Sequence, residues 1–304
     1  MGFFISGQTP RRITFNNNYV NEVWYKEGSN QAVLVWENPL KIETETWEGL
    51  KTLCDEVKDG MPWPEDIKVG SIRKLNLHIS ILGTNSVYVR LIGIDVEGPG
   101  TLTFQVMSNG KNGIGGFNQA VVMNKHVVAS EPSSCAWIGS DYRELCQQFY
   151  NSCEAKPYIK KVQKYTCATS YSYSNPEPIV PELNEETVWA LSSYEVGDDR
   201  GPAKNGDIKE CSLIAEGVYS QPYEYCKTAE YNQTKIYSEE SSTDYYETGS
   251  VFWLRGLNGG YVEDDTDPDE ELETGVYYDR GYEGARWIVG GQSKFYFEPC
   301  FVIG

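Results

Sequence analysis

The sequence predicts an α+β fold built mostly from antiparallel strands, and three observations predict it. Between Ile72 and Met107 the chain runs in short apolar segments separated by Gly, Asn and Pro, the pattern of strands joined by tight turns. Two other segments, starting at Trp47 and at Asp141, repeat their apolar residues at helical spacing. Glycine and proline number 29 and 14 of 304 residues, which suits a turn-rich chain.

The first 41 residues read as a small all-β unit. Ile13 to Phe15, Val20 to Tyr25 and Ala32 to Trp36 are β-rich runs, with turns at Asn16 to Asn18 and Gly28 to Asn30. So few strands are marginal alone, so this unit is expected to dock on a neighbour or another chain. From residue 42 to 304 a second, larger domain is expected. Its first helix begins near Trp47, with Leu50, Leu53, Cys54 and Val57 on one stripe, Thr44 or Thr46 as the cap and Gly60 as the stop. Strands follow at Ile72 to Leu82, Ser86 to Val96 and Thr101 to Met107, the second with apolar residues on both faces and so central.

The second helix is the clearest element. Ser140 caps it, Asp141 favours its positive end, and Tyr142, Leu145, Cys146, Phe149, Tyr150 and Cys153 form a core-facing stripe. A third short element spans Thr187 to Val196. Near the end, Ser250 to Arg255 and Gly284 to Val289 read as buried strands ending close to glycines.

Charge narrows the function classes. Asp and Glu number 44 against 26 Lys and Arg, a formal charge of −18, which excludes a protein that coats nucleic-acid phosphates. No apolar run approaches the roughly 20 residues a membrane span needs, so no membrane insertion is expected. Met1 to Ser6 lacks the basic segment of a secretory signal. The eight cysteines contain no Cys-x-x-Cys pair, and with two histidines no zinc constellation assembles; buried reduced thiols are expected, and no metal or cofactor.

The closing residues carry a family resemblance. Val251-Phe252-Trp253-Leu254-Arg255-Gly256, a Gly- and Tyr-rich insertion, and Glu298-Pro299-Cys300-Phe301-Val302-Ile303 resemble the end of a C-type-lectin-like domain common in tailed phages and gut bacteria. Glu298 and Cys300 replace the usual Arg and Ala. Lys68-Val69-Gly70, Val89 to Asp95, Trp137 to Arg143, Tyr158 to Val162 and Val188 to Ser192 resemble the same family in the same order. The front unit is similar to a short module of phage tail and other virion proteins.

Together the two resemblances imply a virion structural protein, synthesised in the bacterial cytoplasm, that attaches to other virion proteins through residues 1–41. Its lectin-like domain, with antiparallel sheets and two or three short helices, would bind a host cell-surface glycan or protein, in a homo-oligomer. A purely structural capsid decoration or tail scaffold component is the alternative. Such domains in phages often bind through this closing region. Here it holds Tyr245, Tyr246, Asn258, Tyr261, Tyr277, Tyr278, Arg280, Tyr282 and Arg286, expected in loops around two buried strands. Tyrosine supplies large contact area at low entropy cost, and these nine are the candidate binding residues.

Enzymatic signals are missing. There is no Gly-x-Ser-x-Gly elbow and no His-Glu-x-x-His, and His78 and His126 stand alone. The cluster Gly110 to Gly116 lacks the Gly-Lys-Ser/Thr ending of a phosphate loop. In the acidic run Glu263 to Glu273, Asp265, Asp267 and Asp269 alternate as in a calcium loop, but the required glycine and final glutamate are replaced by Glu270 and Val276. Tripeptides that bind sugar through calcium are incomplete at Gln221-Pro222-Tyr223 and Asn175-Pro176-Glu177. The chain is therefore expected to be no enzyme. The last 67 residues carry 15 acids and 4 bases, −11 of the total charge, so partners of that end should be neutral, polar or basic.

Overall fold

A computed structural model describes the strands within residues 14–37, and residues 41–107, 115–117, 119–125, 137–167, 181–192, 195–196, 223–227, 252–258, 275–279, 286–290 and 294–304. It is an α+β structure with antiparallel sheets and two helices. In chain order, β1 (Thr14–Phe15) pairs with β2 (Asn18–Tyr19), and β3 (Glu22–Tyr25) with β4 (Val33–Glu37). Then come α1 (Trp47–Lys58), β5 (Ile72–Ile81), β6 (Thr84–Ile94), β7 (Leu102–Val106) and α2 (Asp141–Ser152). They are followed by β8 (Ile159–Lys160), β9 (Val162–Cys167), β10 (Pro181–Glu186) and β11 (Val188–Trp189). After a 3-10 turn at Glu224–Lys227 come β12 (Phe252–Asn258), β13 (Gly275–Asp279), β14 (Arg286–Gly290) and β15 (Cys300–Ile303).

The principal sheet runs β11-β15-β7-β6-β5, with β8 also on β15; β9 and β10 form a hairpin ladder, and β12-β13-β14 a separate sheet. The last strand, β15, sits inside the principal sheet between β7 and β11. Main-chain hydrogen bonds thereby hold β15 on both of its edges.

Local chemistry explains the helices. The Thr46 side chain accepts from the Gly49 amide at 2.9 Å and the Ser140 hydroxyl from the Arg143 amide at 3.0 Å, each satisfying a donor that the first turn leaves unpaired. Tyr142, Cys146, Phe149 and Cys153 of the predicted stripe are buried, and Leu145 and Tyr150 pack against the core. The β5–β6 turn uses positive φ at both Leu82 and Gly83, the twist that a two-residue hairpin requires.

Register divides the principal sheet into two unlike faces. Leu75, Val89, Leu91, Phe104, Phe301 and Ile303 alternate onto one face, under both helices. There Trp47 of α1 meets Phe104 and Phe301 at centroid distances of 5.5 and 5.9 Å, and Phe149 of α2 meets Phe301 at 6.2 Å. The opposite face carries Trp189, Cys300, Gln105 and Arg90 in a single cross-strand row. Tyr223 covers it at Gly93, where an added Cβ would lie 2.7 Å from the ring.

Two sequence expectations differ from the structure. Thr187 to Val196 forms no single element: it supplies β11 and then a turn in which the Val196 amide returns to the Ser192 carbonyl. The strand β13 was not expected, and it places Tyr277 and Tyr278 inside a sheet. Cys54, Cys146, Cys153, Cys226 and Cys300 are all buried and held in no disulfide, as expected of reduced thiols. Burial pushes the Cys54 and Cys153 thiols up to about 12, which disfavours the reactive thiolate.

Two substitutions test this packing. Phe104→Ala removes a ring shared by Trp47 and Phe301 and should cost about 3–5 kcal/mol of unfolding free energy, measured by urea denaturation. Gly93→Ala drives a Cβ into the Tyr223 ring and should also destabilise the domain, whereas Gly60→Ala, at an open helix end with φ +103°, meets backbone strain without a clash and should cost less.

Candidate functional site

Five side chains from five separate segments converge on the face opposite the helices. Lys164 of β9 donates to Glu195 Oε1 at 2.8 Å and to Glu97 Oε1 at 2.6 Å. The Tyr223 hydroxyl donates to Glu97 Oε1 at 2.5 Å and accepts from Lys164 at 3.3 Å. Arg255 of β12 donates to Glu195 Oε2, and to the Ala190 carbonyl at 2.8 Å. The Lys164 ammonium also lies 4.4 Å from the Trp189 ring centroid, a cation–π contact.

Each member has a local reason for its position. Ser192 and Glu195 form a reciprocal box: the Glu195 amide donates to the Ser192 hydroxyl at 3.2 Å, and the Ser192 amide to Glu195 Oε2 at 3.0 Å. This box positions the Glu195 carboxylate by contacts separate from those with the two cations. Glu97 sits in the β6–β7 turn, where its carbonyl accepts from Lys160 at 3.0 Å. Arg255 lies in a β-bulge: the β12–β13 register shifts between Trp253 and Leu257, and the buried Leu254 and Arg255 fall within it. The Arg255 amide then donates to the Leu191 carbonyl at 2.9 Å. The bulge therefore pins the three-stranded sheet to the segment just after β11.

Electrostatics favour a closed network. Burial alone would raise the Glu195 carboxyl, but Arg255 and Lys164 overcome it and hold the group at about 2. Burial, with Glu195 and Glu97 nearby, raises the Tyr223 hydroxyl well above its usual value. Tyr223 thus stays protonated and can donate. Two acids and two bases cancel, and every carboxylate here is engaged, so the arrangement is suited to fastening. Among the described residues, no group of three His, Cys, Asp or Glu side chains could hold a metal ion.

The candidate binding residues divide between strands and chain outside the described residues. Asn258 ends β12, Tyr277 and Tyr278 lie in β13, and Arg286 opens β14, so these four are strand residues and not loop residues. The register brings Trp253, Tyr278 and Trp287 into one cross-strand row, Tyr277 opposite Ile288, and Asp279 opposite Arg286. Tyr245, Tyr246, Tyr261, Arg280 and Tyr282 lie outside the described residues, as do His126, the acidic run 263–273 and residues 110–114 of the glycine cluster. His78 is exposed in β5.

A second polar feature lies beside α2. A cleft of about 390 Å³ runs between its first turns and β10, lined by Arg143, Glu144, Lys161, Glu185 and Glu186 among others. Its buried carboxylate, Glu186, accepts from the Trp137 indole at 3.0 Å and pairs with Arg143 at 3.0 Å. Neither the cleft nor the buried network was anticipated. The one local signal was Ser192-x-x-Glu195, the spacing of a capping box.

No family model, curated protein or solved structure matches this chain.

The network's weight can be measured directly. Glu195→Gln keeps the shape but leaves Lys164 with Glu97 and removes the carboxylate that Arg255 meets, and should cost about 3–5 kcal/mol in urea unfolding at neutral pH. Because the folded carboxyl lies near 2, against an ordinary 4.5, its stabilisation is complete above the ordinary value and fades as pH falls through about 2. The gap between wild type and Glu195→Gln should therefore be constant near neutrality and narrow below the ordinary carboxylate pKa.

Proposed function

We propose that the chain is a non-enzymatic virion protein that presents a C-type-lectin-like recognition domain to a bacterial surface molecule. The observation that carries the proposal is topological. Strands β11 and β15 are hydrogen-bonded neighbours, yet residues 190–299 intervene between them. This long excursion contains the separate sheet β12-β13-β14, with its Trp253–Tyr278–Trp287 row, and every candidate binding residue. A rigid sheet that displays an aromatic-rich excursion suits binding through stacking and hydrogen bonds, since rigid aromatics gain contact area at little entropic cost.

The sequence resemblance supplies the virion context, and the small hairpins β1–β2 and β3–β4 are the attachment candidates within residues 1–41. Display in many copies would raise a weak single-site affinity through effective concentration. A domain built this way does not need chemistry at Glu195, Lys164 or Arg255. They hold the displayed sheet in place.

The test uses the full chain on an array of bacterial lipopolysaccharides, capsular polysaccharides and peptidoglycan fragments. Wild type should bind a subset, and Tyr245, Tyr246, Tyr261 and Tyr282 changed together to Ser should weaken that binding at least about tenfold, a loss of roughly 1.4 kcal/mol, without lowering Tm. No binding by wild type to the array or to intact bacterial cells would overturn recognition and favour the decoration or scaffold role.

A further inference from the structure

On the face of the principal sheet opposite the helices, four buried side-chain polar atoms have no hydrogen-bond partner. Arg90 and Gln105 stand directly opposite each other on β6 and β7, and the same row continues through Cys300 to Trp189. Arg90 is 5% exposed and Gln105 3%. Arg90 Nε, Gln105 Nε2 and Trp189 Nε1 are buried and have no hydrogen-bond partner, and Thr103 Oγ1, two residues along β7 on the same face, has none either. The contact recorded for the Arg90 guanidinium is with the Tyr225 ring, whose centroid is 5.4 Å away.

Charge decides what can satisfy these donors. An ordered water could satisfy the Gln105 amide, but it would leave a guanidinium charge nine-tenths buried with no carboxylate paired to it among the described residues. Glu97 and Glu195 are already engaged by Lys164 and Arg255. Directly opposed residues on neighbouring strands have Cβ atoms about 5 Å apart, so one small acceptor can reach both donors. The near-complete burial leaves no room for a bulky ligand.

We infer that Arg90 and Gln105 form a binding site for one compact monovalent anion, of the halide class, held between β6 and β7 beneath Tyr225. The anion neutralises Arg90, accepts from Arg90 Nε and Gln105 Nε2, and joins this polar face to the layer that covers it. It binds the folded chain only, since the unfolded chain brings neither donor together, so it stabilises the fold by mass action. The site is independent of the recognition role proposed above.

Bromide is the probe. Thermal unfolding of the full chain is followed as sodium bromide replaces sodium gluconate at constant ionic strength, gluconate being too large to enter. Wild-type Tm should rise by roughly 3 °C and saturate. In crystals grown with bromide, an anomalous peak should lie within hydrogen-bond reach of Arg90 Nε and Gln105 Nε2. Arg90→Met should abolish the Tm response. Should that variant fail to fold, Gln105→Leu, which removes a donor and keeps the charge, should shift the bromide midpoint several-fold higher. A wild-type Tm indifferent to bromide, a water in place of the anomalous peak, or a Gln105→Leu response equal to wild type would each overturn the site.

Discussion

The Glu195 carboxylate, placed between Lys164 and Arg255, is the contact on which the non-helical half of the molecule depends. Its two oxygens are shared among a lysine, an arginine and a backbone amide, from three segments far apart in sequence. Burying four charges is costly and is tolerated only when each is compensated with good geometry. The result is a set of contacts that tolerates little rearrangement. Moving β12 would strip Arg255 from Glu195, which would then confront Lys164 alone, and Lys164 would draw on Glu97 and Tyr223. Apolar packing under the helices gives the domain its bulk. The ionic set gives the second layer its address.

The two faces of the principal sheet thus follow different rules. Beneath α1 and α2 the contacts are mostly rings and aliphatic side chains, which are non-directional and forgiving of small shifts, with the Arg73 guanidinium stacked on Trp47 among them. On the other face they are hydrogen bonds and charges with fixed angles. Gly93 shows how the two regimes meet. Its missing Cβ lets an edge of the Tyr223 ring approach β6 closely, while the hydroxyl reaches Glu97.

This division also explains how much was legible in the sequence. Helix α2 was readable because its cap, its acidic first residue and its stripe agree over a dozen consecutive positions. The strands β5, β6 and β7 were readable from alternation and turns. The polar face was not, because Glu97, Lys164, Glu195 and Arg255 are spread over some 160 positions, and each alone resembles an ordinary surface charge. The apolar residues on both faces of β6 marked it as central, and Arg90 is buried there, but nothing in Val89-Arg90-Leu91 shows which segments cover that side. The candidate binding residues were partly misplaced for a related reason. Tyr277 and Tyr278 follow an acidic, turn-like run, and their strand character rests on pairing with β12 and β14, which no local window displays.

The adjacency of β11 and β15 has a consequence for how such a chain can change. The excursion from residue 190 to 299 starts and finishes on strands spaced about 4.8 Å apart, so its ends are fixed by the sheet whatever lies between them. Closing a flexible loop grows only logarithmically more costly with length, about 0.6 kcal/mol for each doubling. Pins at Glu195, Tyr223 and Arg255 divide the excursion further, so each intervening stretch closes separately. Insertions, deletions and wholesale exchange of those stretches are therefore cheap for the fold, while the frame that bounds them stays the same.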